Sequence, residues 1–255
     1  IDEIPDLVIS CGRKSVYLSI YLKKKYPNII NIHIQNPKIS SKNFSYVIAP
    51  NHDGLYGDNI INSSGAIHHF KQFNNLKNHY EINTKNLITC IIGGENNHYN
   101  FSKENTLDLC ERIKKIKSYN DNQEILVITS RRTNQEIKHI LKKELNSISK
   151  LWIGEGKNPY EFALYNSSYF IITSDSTSMI SEASISGKPI YVYQLPMKRK
   201  SKRFIRFHEE FKKMNITRDF NTLDKLENWT YTKLEESKRI AGIIKKRIIE
   251  RKNES

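Results

Sequence analysis

Apolar residues in this chain fall in short dense runs, LVIS, LITCII, EILVITS and YFIITS among them, set between long polar stretches. In the second half these runs predict strands at 87–92, 125–129, 151–153, 169–173 and 190–193. They are rich in Ile, Val and Thr without a clean alternation, as expected of strands covered on both faces. Helices between them are marked by their caps. Ser102 precedes a helix with Leu107, Cys110, Ile113 and Ile116 on one face. Thr133 with Glu136 reads as a capping box, and Asn158-Pro159-Tyr160-Glu161 combines an N-cap, a first-turn proline and a glutamate. A helix from about 177 to 186 stops at Gly187, with Pro189 beyond. A last helix opens at Thr232 and Glu235, with Leu234, Ala241, Ile244 and Ile248 along one side.

The front of the chain is a shorter version of the same alternation. Strands at 7–10, 30–34 and 46–49 surround a helix at about 14–25. The segment 51–69 is rich in Gly, Asn and His with one short apolar run, and 70–86 is polar and reads as a connection between domains. Strands joined by helices predict parallel, doubly wound sheets. The expected division is 1–80 for a first Rossmann-like domain, 81–230 for a second, and 231–255 for a terminal helix packing back toward the first. The chain starts at Ile1, almost directly before a strand. A first strand–helix unit is therefore expected to be missing.

Composition changes this picture little. Of the 255 residues, 38% are hydrophobic, and their concentration in runs excludes a disordered chain. No apolar stretch approaches the roughly 20 residues of a membrane helix, and the start is not a signal peptide. The net charge of +14 comes mostly from lysine in a chain also rich in Asn and Ile, which reads as coding bias rather than a nucleic-acid footprint. Two stretches exceed that background, from Lys198 to Lys213 and from Lys238 to Lys252. Either suits phosphate, an anionic membrane surface or water alone. Cys11, Cys90 and Cys110 are too few and too scattered for a disulfide framework or a zinc site, and a cytoplasmic location is expected. Nucleic-acid binding is not expected, because aromatic and basic residues do not interleave on one face.

Candidate chemistry lies just after the predicted strands, where open parallel sheets bind ligands. There stand Gly93 and Gly94; Ser130, Arg131 and Arg132; Asn158; and Ser174, Asp175, Ser176, Thr177 and Ser178. Singly each has a plain structural reading: a turn, a helix cap or solvated arginines. Together they offer small residues, hydroxyls and cations on one sheet edge, which suits a diphosphate. Glu182, within the helix that follows, can accept ribose hydroxyls; its plain reading is a surface glutamate paired with a lysine. In the first domain His52 is a speculative base, and Cys11 resembles a nucleophile only in being a cysteine. The sequence has no GxxxxGK[ST], HExxH, GxSxG or CxxC run and no Asp-x-Asp pair. No metal site and no bound cofactor are expected, and phosphate chemistry would rest on helix dipoles and arginine.

Seven stretches in order, PDLVISCGRKS, IAPNHDGLYGDN, IIGGENNHY, TSRRT, LWIGEGKNPY, TSDSTSMISEASISGKPIYVY and KRFIRFHE, resemble the family named for the plant mitochondrial-fission protein of elongated-mitochondria mutants. Members usually begin with a further strand, Gly-rich loop and helix. The resemblance implies a GT-B-like architecture, two Rossmann-like domains facing across a cleft. Its SEA…GKP segment is similar to the donor-binding helix of GT-B glycosyltransferases, where the matching glutamate holds the nucleotide ribose. That role would fall to Glu182, with residues 174–178 at the diphosphate of a nucleotide-sugar donor. The plant relative is regarded as bringing a dynamin-related protein to a membrane surface. The family therefore implies either a metal-independent, nucleotide-sugar-dependent glycosyltransferase-like protein or a non-catalytic adaptor for a dynamin-related or envelope partner.

Overall fold

The computed structural model describes residues 3–70, 76, 78–223 and 225–253. It divides into two compact units, one running to Ile67 and resuming at Glu235, the other spanning His68–Leu234.

In the first unit β1 (Leu7–Cys11), β2 (Ile30–Ile34), β3 (Tyr46–Pro50) and β4 (Ile60–Ser63) form a parallel sheet in that order. Side chains alternate across a strand, so β3 sends Val47 and Ala49 to one face and Ile48 to the other. The first pair meets Val16 at the start of α1 (Val16–Lys25). Ile48 packs with Ile32, Ile61 and Ile240 of α7 (Glu236–Asn253). The first turn of α7 is tied down by Glu236, whose carboxylate accepts the Ser64 N–H at 2.8 Å. Ile240, Ile243 and Ile244 face the sheet, whereas Ala241, expected on that side, is exposed. The outer edge of β1 has no partner strand among the described residues. Around it Ile9, Tyr17, Leu18 and Tyr21 are well exposed.

The second unit contains β5 (Leu87–Ile92), α2 (Lys103–Tyr119), β6 (Glu124–Thr129), α3 (Gln135–Leu145), β7 (Lys150–Trp152), α4 (Tyr160–Asn166), β8 (Tyr169–Thr173), α5 (Thr177–Ala183), β9 (Ile190–Tyr193), α6 (Lys202–Lys213) and β10 (Thr217–Asp219). Its six strands are all parallel, in the order β7-β6-β5-β8-β9-β10. Every residue of β5 is buried. Ile88, Cys90 and Ile92 meet Leu109, Ile113, Ile137 and Leu141 of α2 and α3 on one face. Ile91, Phe170 and Ile172 meet Ile180, Phe207 and Phe211 of α5 and α6 on the other. With both faces covered, the strands need no alternation of apolar and polar residues. Cys90 and Cys110 lie in the first of these cores as free thiols; burial raises both, Cys110 to about 12.

Three sequence expectations shift. The second unit begins at His68, not near residue 81. Phe70 already packs on Tyr160, with ring centroids 5.8 Å apart, and Ile82 is buried against Leu87, Leu126 and Phe162. A few apolar anchors thus suffice to wrap the expected connection onto this unit, although 71–75 and 77 of it lie outside the described residues. At the other end Leu234 is buried with the second unit and precedes α7, so it does not share that helix's stripe. The cap of α3 is Asn134, whose side chain accepts the Ile137 N–H at 2.9 Å. Thr133 instead turns its hydroxyl back to the carbonyls of Ile92 and Gly93. The basic stretch from Lys198 to Lys213, to which the sequence assigned no element, is mostly α6, an amphipathic helix that buries Phe204, Phe207 and Phe211.

Candidate functional site

The order of the second sheet creates the site's position. The chain lays down β5, β6 and β7 outward to one side, then returns to place β8 on the other side of β5. A crevice at the carboxyl ends of such a neighbouring pair is where doubly wound sheets take ligands. Gly93-Gly94 leaves β5 there and residues 174–178 leave β8.

The structure brings these loops together, and it fills their meeting point from within. Asp175, whose side chain is fully buried, accepts the Gly94 N–H at 3.1 Å and the Thr173 hydroxyl at 2.6 Å. Arg132 Nη1 lies 2.7 Å from the same carboxylate. Asn96 donates to the Asp175 carbonyl at 3.1 Å. Burial raises the Asp175 acid, while the Thr173, Arg132 and Gly94 contacts pull it the other way. The Gly93 N–H is likewise committed, to Thr173 Oγ1 at 2.8 Å. Both amides of the expected Gly93 and Gly94 cradle are therefore already taken within the protein, Gly94 by the Asp175 carboxylate and Gly93 by a hydroxyl. Ser130 is spent on its turn, accepting the Arg132 N–H at 3.1 Å. Ser174 Oγ accepts the Leu195 N–H at 3.0 Å, and Ser176 caps α5 through the Met179 N–H at 3.4 Å. Thr177 is buried, whereas Ser178 and Arg131 are exposed. Asn158 is exposed too; its side chain accepts the Tyr160 N–H at 2.9 Å. It lines a pocket of ≈ 190 Å³ with Tyr80 and Phe162.

Glu182 is not a surface glutamate paired with a lysine. Lying on α5, it accepts a short hydrogen bond at Oε2 from the Tyr160 hydroxyl. Burial raises the Glu182 acid, against the Tyr160 hydrogen bond and the charge of His69, which lower it. Burial also holds the Tyr160 phenol well above its ordinary value.

His208 of α6 reaches the same loop from below, its Nε2 3.0 Å from the Ser174 carbonyl. A carbonyl only accepts, so Nε2 carries the proton. Nδ1 is sealed from solvent without a hydrogen-bond partner among the described residues. Burial pushes this imidazole down to about 4. The unfolded chain takes up a proton near pH 6.5 and the folded one only near 4, so the unfolded state holds more protons in between. Stability should therefore fall as pH drops through that window, by roughly 3 kcal/mol from this residue over its whole width and about 2 between pH 7 and pH 5. Urea denaturation at pH 7 and pH 5 checks it: His208→Gln should flatten the decline, and an unchanged decline removes His208 as its source.

In the first unit His52 is buried, its Nε2 4.0 Å from Asp53 Oδ1. Cys11 is exposed at the end of β1. Among the described residues no group of three His, Cys, Asp or Glu side chains is placed to hold a metal, and no helix is long and apolar enough to cross a membrane.

The sequence placed Asn96 in the loop after β5 without a role, and did not mark Tyr160, Thr173 or His208 as parts of this loop cluster. The one available signal was position, since Thr173 adjoins a loop already chosen. Tyr160 and His208 arrive from helices whose facing only packing decides.

A model of the Mitochondrial fission ELM1 family matches residues 2–248. The chain belongs to this family. An uncharacterized protein of Rickettsia prowazekii is 32% identical over 292 residues, covering 96% of this chain and 80% of that one. The Mitochondrial fission protein ELM1 of Arabidopsis thaliana is 23% identical over 281 residues, covering 97% of this chain. This ELM1-family chain spans 65% of the plant protein's length. Among solved structures, the UDP-GlcNAc 2-epimerase of Methanocaldococcus jannaschii superposes with a TM-score of 0.60 at 15% identity, covering 96% of this chain and 78% of that enzyme. The same enzyme solved in complex with UDP-GlcNAc and UDP gives 0.51. The ELM1-family member thus has an α/β, GT-B-like fold with two parallel-sheet units, as the sequence resemblance implied.

Proposed function

We propose that the His68–Leu234 unit binds a nucleoside-diphosphate sugar at the carboxyl edge of its sheet, in a metal-independent, glycosyltransferase-like protein. One observation carries this reading: Glu182, half-buried on the helix after β8, has one carboxylate oxygen held by Tyr160. A half-buried carboxylate with one uncommitted oxygen is a good acceptor for a ribose hydroxyl. The likeness to an enzyme solved with UDP-GlcNAc and UDP supports the choice of ligand class. Arg131 and Ser178 are the exposed groups left to meet the diphosphate, with Arg132 able to turn only by leaving Asp175. His52 stays the speculative base for an acceptor hydroxyl.

A second reading is an adaptor on the same scaffold. It draws on the exposed Lys198, Arg199, Lys200, Lys202, Arg203 and Arg206, clustered where α6 begins. No acidic residue stands in that helix's first turn, so cations crowd the positive end of the helix dipole. An anionic membrane surface would relieve that crowding, and a dynamin-related partner is the other adaptor role the family implies.

Thermal denaturation with UDP and UDP-GlcNAc tests both. Ligand at about 100 times its dissociation constant adds nearly 3 kcal/mol, and Glu182→Ala should weaken UDP at least about tenfold. No shift with any nucleoside diphosphate or diphosphate-sugar ends the first reading. Salt-sensitive retention on phosphatidylserine vesicles without a nucleotide response favours the second.

A further inference from the structure

Glu182 is gripped by an arrangement more elaborate than a helix glutamate needs. Tyr160, the first residue of α4, is fixed by Asn158, and its ring is packed on Phe70. Phe70 in turn stacks on His69 at 4.3 Å, whose charge acts on Glu182. His68 hydrogen-bonds the carbonyl of Ser181, the residue before Glu182. The helix before β8 and the opening segment of the unit thus converge on one side chain. Their net effect is asymmetric. Oε2 is occupied by the Tyr160 hydroxyl, while Oε1 has no hydrogen bond among the described residues.

We infer that Tyr160 is a positioning residue that leaves Glu182 a single fixed acceptor oxygen and thereby sets the protein's discrimination for a ribose hydroxyl. The inference rests on the nucleotide reading above and adds to it a residue and a selectivity. A carboxylate with both oxygens free can rotate and trade acceptors. One pinned at Oε2 presents Oε1 in one direction, so a hydroxyl in the right place is bound with little ordering cost. A ligand lacking that hydroxyl covers this half-buried acceptor without replacing its water and binds more weakly. The phenol also favours the ionised glutamate, since it can only donate to it. Removing that donor should make Glu182 easier to protonate.

The test compares UDP with 2′,3′-dideoxy-UDP by calorimetry in wild type, Tyr160→Phe and Glu182→Gln. Wild type should prefer UDP at least about tenfold. Tyr160→Phe should lose most of that preference by weakening UDP while leaving dideoxy-UDP nearly unchanged. The acid limb of its UDP-affinity profile should move to higher pH, which loss of packing alone would not cause. Glu182→Gln, with the phenol intact, should abolish the pH limb and reduce the preference similarly, so the reading does not hang on one variant folding. UDP binding with undiminished preference in Tyr160→Phe overturns the inference alone. Failure of wild type to bind UDP or any other nucleoside diphosphate overturns the nucleotide reading and the inference with it.

Discussion

Alanine at Gly94 should cost the second unit about 3 kcal/mol or more, seen as a melting transition lowered by roughly 10 °C. The reason is space and not dihedral freedom, because neither Gly93 nor Gly94 has a positive φ. A Cβ on Gly94 would sit 2.2 Å from the Arg132 carbonyl oxygen and 2.4 Å from its carbon. Those are backbone atoms of the turn between β6 and α3, a turn itself held by Thr133 on the carbonyls of Ile92 and Gly93. Relief would mean separating two loops that hydrogen-bond each other. On Gly93 the added carbon would meet both carboxylate oxygens of Asp175 at 2.2 Å. That side chain is fully buried and fastened on three sides, so it too has nowhere to go. Gly242 is the control. It sits exposed in α7 with nothing within 4 Å of a Cβ, and Gly242→Ala should stabilise by about 0.5–1 kcal/mol. A Gly94→Ala protein that melts with wild type would show that the loops do not approach so closely.

Asp175→Ala should be nearly as damaging, at about 3 kcal/mol. It strips the partner from the Gly94 amide, the Thr173 hydroxyl and the Arg132 guanidinium together. Arg132 is 40% exposed and recovers part of its loss from water, whereas the amide and hydroxyl are buried. Asp175→Asn should cost roughly half as much. Its amide nitrogen would face a Thr173 oxygen that already accepts from Gly93. The variant also exposes what the carboxylate does. Without it, an amide and a guanidinium face a gap the size of a small anion. Acetate at high concentration should therefore restore part of the stability of Asp175→Ala and none of wild type's, by denaturant titration with and without the salt. Equal stability of the alanine variant and wild type, or equal acetate effects, would remove Asp175 from the centre of the site.

These two variants bear on how the candidate site reads from sequence. The loops after β5, β6 and β8 were legible because three facts are local: apolar runs mark strands, parallel strands share a carboxyl edge, and small or polar residues follow each run. The place of Glu182 on the helix after β8 was legible for the same reason. The assignment of each polar group to a ligand was not. Gly93, Gly94, Ser130, Ser174 and Ser176 look alike whether they bind a diphosphate or each other, since a donor's partner is fixed by three-dimensional neighbours. Asp175 stood in the list of candidate binders and proved to be the carboxylate that Gly94, Thr173 and Arg132 hold. Tyr160 was read only as a first-turn residue of a helix, although its hydroxyl reaches a helix beyond the next strand.

The amino-acid order alone determined the parallel α/β class, most strands, the family, and the sheet edge on which the candidate polar groups gather. Periodicity, caps and chain direction are properties of consecutive residues. Packing decided that the second unit starts at His68, that the basic stretch buries three phenylalanines as α6, and that the loop tips close around Asp175. Each of these depends on which distant surface fills a given space, and burial and hydrogen-bond satisfaction act between residues that the chain brings together only when it folds.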